Sequence, residues 1–326
     1  DSLYASGSCD AVVIATPHYD HPGQAISAFR AGLHVMCEKP AGVYTKNVRE
    51  MNKAADDSGK VFGMMFNLRQ RPVYRKLHDM IAAGELGRIM RTNWTATNWF
   101  RSQCYYDSGK WRAPWRGEGG GVLLNQGPHN LDLWQWICGM PKRVRAFCSF
   151  GRYHCIEVED DVTAYVEYPG GATGVFIAST GEAPGTNRLE IAGDLGKIVV
   201  EDNRLTFWRT GQSVARFCRE HRAPFGEPEC TKTELPPENP VEEHLAVLKN
   251  WTNAILHGET LLTPGEDGLA SLTLSNAMLL STWTNSTVEL PMDEDRFLEL
   301  LNERAQRSEV QGTAIGDGRR RKPALP

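Results

Sequence analysis

The sequence predicts an α/β fold followed by an α+β one: a doubly wound parallel sheet, then an antiparallel sheet carrying helices. Three observations lead there. Short, continuously apolar runs alternate with helix-period segments near the N-terminus. The rhythm then changes to closely spaced strand patterns parted by turn signals. A length of 326 residues corresponds to about two domains.

Cys9 to Thr16 (CDAVVIAT) is an apolar run stopped by Pro17, as expected of a strand buried on both faces. From Asp20 to Gly32 the residues Ala25, Ile26, Phe29 and Ala31 recur near the helical period, Pro22 suits a first turn, and Gly32 ends the segment. Leu33 to Cys37 is a second strand. Thr45 opens a helical pattern through Val48, Met51, Ala54 and Ala55, closed by Ser58-Gly59, and Val61 to Phe66 is a third strand. A helix over Pro72 to Ala83 stops at Gly84. Beyond it, residues 88–100, 143–150, 159–168, 172–181, 187–193, 196–201 and 204–210 read as antiparallel strands, with turns at Tyr168-Pro169-Gly170-Gly171 and Gly193-Asp194-Leu195-Gly196. A Trp- and Gly-rich loop (101–121) and a helix (127–138) separate the first two. Helices at 241–257, 266–284 and 293–305 follow, after a Pro-rich stretch at 223–240.

Lys and Arg total 36 against 40 Asp and Glu, a net charge of −4 with 41% apolar residues, which excludes disorder and gives no footprint for nucleic acid. The basic run Arg319-Arg320-Arg321-Lys322 reads as a solvated tail within residues 311–326. No apolar stretch reaches membrane-helix length and no signal peptide is visible, so neither a membrane nor a nucleic acid is an expected partner. The eight cysteines form no C-x-x-C pair, which suits free thiols and a cytoplasmic location.

Glu38-Lys39-Pro40 follows the second strand directly and so sits at the carboxyl edge of the sheet, where open α/β folds bind ligands. An ammonium there can donate to a substrate oxygen, and a cis peptide before Pro40 would aim it into a cleft; a plain surface turn is the alternative. Ala15-Thr16-Pro17-His18 occupies the equivalent place one strand away, where short side chains meet a dinucleotide. His18 and His21 have no third metal ligand nearby, and helix capping or solvent exposure is the expectation for both. In Gly117-Glu-Gly-Gly-Gly-Val-Leu-Leu-Asn125-Gln-Gly-Pro128-His129-Asn-Leu-Asp132, glycines admit close approach and Pro128 sets His129 at a helix start, which favours neutral imidazole. Asp132 is expected either to bond His129 or to cap that helix. The aromatic set Trp94, Trp99, Phe100, Tyr105, Tyr106, Trp111 and Trp115 reads as a sugar-stacking wall or as core. Arg69, Arg112 and Arg116 read as substrate ligands or as partners of surface carboxylates.

Taken together, A-T-P-H-x-x-H-P, E-K-P, N-L-R-x-R-P and G-G-G-V-L-L-N-Q-G-P-H-N-L-D, in that order over residues 9 to 285, resemble the glucose–fructose oxidoreductase/inositol dehydrogenase (Gfo/Idh/MocA) family. The resemblance implies a partial Rossmann-type dinucleotide-binding domain (1–86) and a C-terminal domain with an open-faced antiparallel sheet (87–310). It implies NAD or NADP as cofactor and a sugar, inositol or related polyol as substrate. The implied catalytic pair is Lys39, holding the reacting oxygen, and His129, as acid/base. The implied cofactor loops supply Thr16, Pro17, His18, His21, Glu38, Lys39 and Asn67; the substrate side supplies Asn125, Tyr106, Trp115 and Arg116. A homo-oligomer built through the open sheet face is implied, and no metal.

Two departures stand out. Many family members carry Asp four residues before the histidine, where this chain has Asn125, an amide that orients a hydroxyl but cannot take its proton. The sequence also has no G-x-G-x-x-G phosphate loop, so the dinucleotide-binding domain is expected to lack its first strands and to bind cofactor weakly. Two other readings stay open: a non-catalytic sugar-binding or assembly module, and an NAD-dependent glycosidase.

Overall fold

The computed structural model describes residues 2–236 and 241–308. After α1 (Ser2–Ala5), the three predicted apolar runs become β1 (Ala11–Ile14), β2 (His34–Cys37) and β3 (Phe62–Met64). They pair in parallel in the order β1-β2-β3, with Val12 opposite Val35 and Val35 opposite Phe62. Helices α2 (Asp20–Arg30) and α3 (Thr45–Ser58) connect them. Gly59 closes α3 at φ +63°, a left-handed conformation that costs glycine little. A single 3-10 turn, Asn67–Gln70, leads into α4 (Pro72–Ala82), whose first residue is the proline that favours that position.

The second sheet is built from β4 (Ile89–Ala96), β5 (Arg143–Phe150), β6 (Glu159–Glu167), β7 (Thr173–Ser179), β8 (Asn187–Gly193), β9 (Gly196–Glu201), β10 (Arg204–Thr210), β11 (Cys230–Leu235) and β12 (Val288–Glu289). Their order is β11-β10-β9-β8-β4-β7-β6-β5-β12. The sheet is mixed rather than antiparallel: β4 inserts between β8 and β7 and runs parallel to β7, Trp94 opposite Phe176. The expected strand over 88–100 ends at Ala96, where Thr97 bonds to Thr186 through both its amide and its hydroxyl. The loop at 101–121 contains α5 (Gln103–Asp107), and the stretch after β10 contains α7 (Val214–Glu220) before β11. The expected basic tail lies outside the described residues.

One face of this sheet is covered. There α6 (Pro128–Cys138) stacks Trp134 on Phe176 at 5.5 Å, and α9 (Gly268–Thr284) lies along β5, its Ser281 and Thr282 hydroxyls accepting the amides of Ala146 and Cys148. The other face is open, with Phe147 62% and Tyr165 42% exposed. The last helices serve both sheets. α8 (Glu243–His257) packs Val247 and Trp251 against Met36 and Met65, and Asn276 of α9 donates to the Val43 carbonyl at 3.0 Å. α10 (Glu294–Arg307) stacks Phe297 on Trp283 of α9.

Candidate active site

Parallel strands deliver their following residues to one edge, and here all three strand ends touch the segment 117–129. After β1, His18 is buried with Nδ1 3.2 Å from the Glu118 carbonyl. His21 is buried too, its ring nitrogens 2.7 Å from the carbonyls of Thr16 and Pro40, so it ties the loop after β1 to the loop after β2. The solvent exposure that the sequence allowed is found for neither histidine: His18, in the turn before α2, meets the Glu118 carbonyl, and His21, in the first turn of α2, bridges two loop carbonyls. Thr16 Oγ1 donates to Gln24 at 3.3 Å.

After β2, the Lys39–Pro40 peptide is cis and Lys39 is half-buried, its Nζ donating to the Asn125 carbonyl at 2.5 Å. Burial pulls the Lys39 pKa down to about 8, against the opposing pull of the Glu38 and Glu118 carboxylates. After β3, Phe66 meets the His129 ring edge-on at 6.4 Å, and Asn67 donates to Glu243 at 2.7 Å. Glu243 also holds Arg71 at 2.6 Å, so the start of α8 closes this corner.

The glycine run works by close approach. A Cβ on Gly121 would lie 1.9 Å from the Glu159 carbonyl oxygen, and one on Gly119 2.3 Å from Val43. Glu159 clamps the run from beneath, one carboxylate oxygen accepting the amides of Gly121 (2.8 Å) and Leu123 (3.0 Å). Glu118 is wholly buried: one oxygen accepts the Asn125 side-chain amide and the other the Ala113 N–H at 2.6 Å.

Pro128 then opens α6 and places His129 in its first turn, as the sequence predicts. His129 Nδ1 is buried without a hydrogen-bond partner. Burial, then the Lys39, His244 and Arg71 charges, hold the His129 pKa well below its ordinary value, leaving the ring neutral at pH 7. Asp132 turns away from His129: its two oxygens take Arg69 Nε (2.8 Å) and Nη2 (2.5 Å), while Arg69 Nη1 reaches Asp267 at 2.6 Å. Arg69 is therefore a structural tie between the two sheets' helices.

Three expected substrate residues are engaged in other contacts. Tyr106 is buried and shares a 2.9 Å hydrogen bond with Thr180. Trp115 packs its ring on Trp283 and Phe150. Arg116 is exposed, its amide donating to Ser308 at 3.2 Å. None of these contacts reaches Lys39 or His129. The neighbouring Tyr105 touches the segment 117–129: its hydroxyl accepts Gln126 Nε2 (3.2 Å) and Arg112 Nη1 (2.9 Å), and Arg101 lies over its ring at 5.1 Å. Only the turn of α5 separates the two tyrosines, and their adjacency in sequence hides it.

The buried polar atoms left unpartnered here, His129 Nδ1, Asn67 Oδ1 and Gln126 Oε1, suit a nicotinamide amide and a hydroxylated substrate. For a pyrophosphate the fit is poor among the described residues. α2 opens with Asp20, whose charge opposes an anion at that helix start, and the sequence supplies no glycine-rich phosphate loop.

Comparison with known proteins agrees with this layout. A family model described as an oxidoreductase family with an NAD-binding Rossmann fold matches residues 1–66, and one for the GFO/IDH/MocA C-terminal domain matches residues 74–199. The chain is 27% identical over 291 residues to a 1,5-anhydro-D-fructose reductase of Ensifer adhaerens, covering 89% of this chain and 82% of that protein. It is 31% identical to a trans-1,2-dihydrobenzene-1,2-diol dehydrogenase of Bos taurus over 60% of this chain and 56% of the relative, little more than half the relative's length. The WlbA dehydrogenase from Bordetella pertussis, solved with NADH and UDP-GlcNAcA, superposes with a TM-score of 0.74 at 29% identity, over 90% of this chain and 82% of that one. Matched on both its sheets, the chain belongs to the Gfo/Idh/MocA family of NAD-binding oxidoreductases.

Proposed function

We propose that the chain carries the reaction centre of a dehydrogenase or reductase acting on a hydroxyl-bearing carbon of a sugar or related polyol, with NAD or NADP. The observation that carries the proposal is the pairing of a half-buried ammonium, Lys39, with a half-buried neutral imidazole, His129, across one short segment at the sheet's carboxyl edge. A bound nicotinamide supplies the hydride acceptor or donor. Lys39 donates a hydrogen bond to the reacting oxygen. His129, kept neutral by burial, takes the hydroxyl proton in oxidation and returns it in reduction. Asn125 orients a neighbouring hydroxyl, and Thr16, Pro17, His18, Glu38 and Asn67 line the cofactor side. The sugar class is supported by relatives named for anhydrofructose and levoglucosan and by the WlbA dehydrogenase solved with UDP-GlcNAcA.

Turnover followed by NAD(P)H absorbance tests this. His129→Ala and Lys39→Ala should each lower kcat by roughly 10²-fold or more, as for an acid/base and its partner; unchanged rates refute the assignment. The open face of the mixed sheet, with Phe147 and Tyr165 exposed, supports a homo-oligomer built across it. Light scattering should show an oligomer that Phe147→Asp dissociates, and a monomeric parent chain refutes that.

A further inference from the structure

We propose that Glu118 is a positioning residue for this reaction, a buried carboxylate that fixes Asn125 and keeps the Lys39 ammonium charged and aimed. The proposal rests on the reading of Lys39 as the residue that holds the reacting oxygen.

The geometry is a relay through one residue. Asn125 accepts Lys39 Nζ on its main-chain carbonyl at 2.5 Å, while its side-chain amide donates to Glu118, seven residues upstream. The other Glu118 oxygen is pinned by the Ala113 N–H at 2.6 Å, and Ala113 holds φ +77°, a left-handed conformation that non-glycine residues adopt at a cost. The Glu118 main-chain carbonyl meets His18 at 3.2 Å. One residue thus touches the loop after β1, the Trp-rich loop and the segment that seats Lys39.

A buried carboxylate is costly unless charge and hydrogen bonds compensate it. Arg69 and Asp132 show how this chain builds a structural pair, with direct contact between the ions. Among the described residues Glu118 makes no such ion pair. It stands one amide away from Lys39: burial raises the Glu118 pKa, and the Ala113 and Asn125 hydrogen bonds and the Arg112 and Lys39 charges oppose that rise and favour the carboxylate. Lys39 needs that help. Arg101 and Arg112 push its proton off, as burial does, and His18 and His129 lie within its field. Beside the Asn125 carbonyl, the carboxylates that act to keep it are Glu38 and Glu118, and Glu38 is half-exposed, so solvent screens it more than the wholly buried Glu118. A wholly buried carboxyl group at position 118 therefore bears on position 125.

The test uses the full chain with Glu118→Gln and Glu118→Asp. Competitive acetylation of Lys39 across pH, read by peptide mass spectrometry, reports the amine's titration without cofactor or substrate. The parent should titrate near 8, and Glu118→Gln should move that midpoint down by about one unit, with the alkaline limb of kcat/KM following it. Glu118→Asp keeps the charge but falls short of Asn125, so Lys39 should titrate as in the parent while kcat falls severalfold. An unmoved midpoint in a folded Glu118→Gln chain overturns the proposal. Should that variant fail to fold, parent-like kcat in Glu118→Asp overturns it instead. A parent chain with no turnover but with the expected Lys39 shift counts against the dehydrogenase reading alone.

Discussion

Gly121→Ala is the sharpest perturbation of the site that removes no catalytic side chain. The added Cβ would fall 1.9 Å from the Glu159 carbonyl oxygen, 2.9 Å from its carbon and 3.0 Å from Val158 Cγ2. Carbon and oxygen rest about 3.3 Å apart at closest, so the segment must withdraw from β6 by roughly 1.4 Å. That movement breaks Val122 N to Glu159 O (2.9 Å) and both amide contacts to the Glu159 carboxylate. At ~1 kcal/mol each, less the fraction of a kcal/mol alanine gains in the unfolded chain, the net loss is about 2–3 kcal/mol. Urea titration followed by circular dichroism should resolve it. Because Asn125 and His129 ride on the same segment, a displacement above 1 Å should also cost on the order of 10²-fold in kcat. Gly23→Ala is the control: nothing lies within 4 Å of its Cβ site inside α2, so it should stabilise by ~0.5–1 kcal/mol. A Gly121→Ala chain as stable and active as the parent refutes the close-approach argument.

Other substitutions probe other ties. Asp132→Ala leaves the buried Arg69 guanidinium without two of its acceptors and should destabilise by about 3–5 kcal/mol in the same urea assay, with parent-like stability the contrary result. Burial raises the Glu159 pKa to about 7. The proton bound to the folded state therefore contributes fully below the ordinary carboxyl value near 4.5, and that contribution is lost as pH rises through about 7. Glu159→Gln should flatten the stability profile between those limits; an unchanged slope would show that Glu159 does not titrate there.

The first sheet was readable because parallel strands buried on both faces are continuous apolar runs, and glycines such as Gly59 mark the helix ends. Lys39 and His129 were readable because each follows a punctuated element, a strand end and Pro128. What stayed hidden had no periodic signature. The parallel pairing of β4 with β7 is a register across the Trp-rich loop, α6 and two strands, which no local pattern encodes. β11 shows no buried position and α7 no buried residue, so neither presents an apolar face to detect. His21, Arg69 and Asp132 look like surface residues in sequence and are buried because each meets partners supplied from elsewhere in the chain. Glu118 sat in plain view within the glycine run, but nothing in sequence says that its side chain folds back onto Asn125.

The return of α8 and α9 to the first sheet bears on how the chain acquires its structure. Met36 waits for Trp251, Asn67 for Glu243 176 positions away, and Val43 for Asn276 at a separation of 233. Contacts of that span carry a loop-closure cost before they yield any stability, so they slow folding. During synthesis the β1–β3 sheet emerges early with Met36 and Met65 uncovered, and stays so until α8 leaves the ribosome. Lys39 and His129 thus share their setting with residues drawn from widely separated parts of the chain, Asn67 and Glu243 among them. Stopping synthesis before Glu243 should leave a first sheet open to proteases, however complete its own residues are.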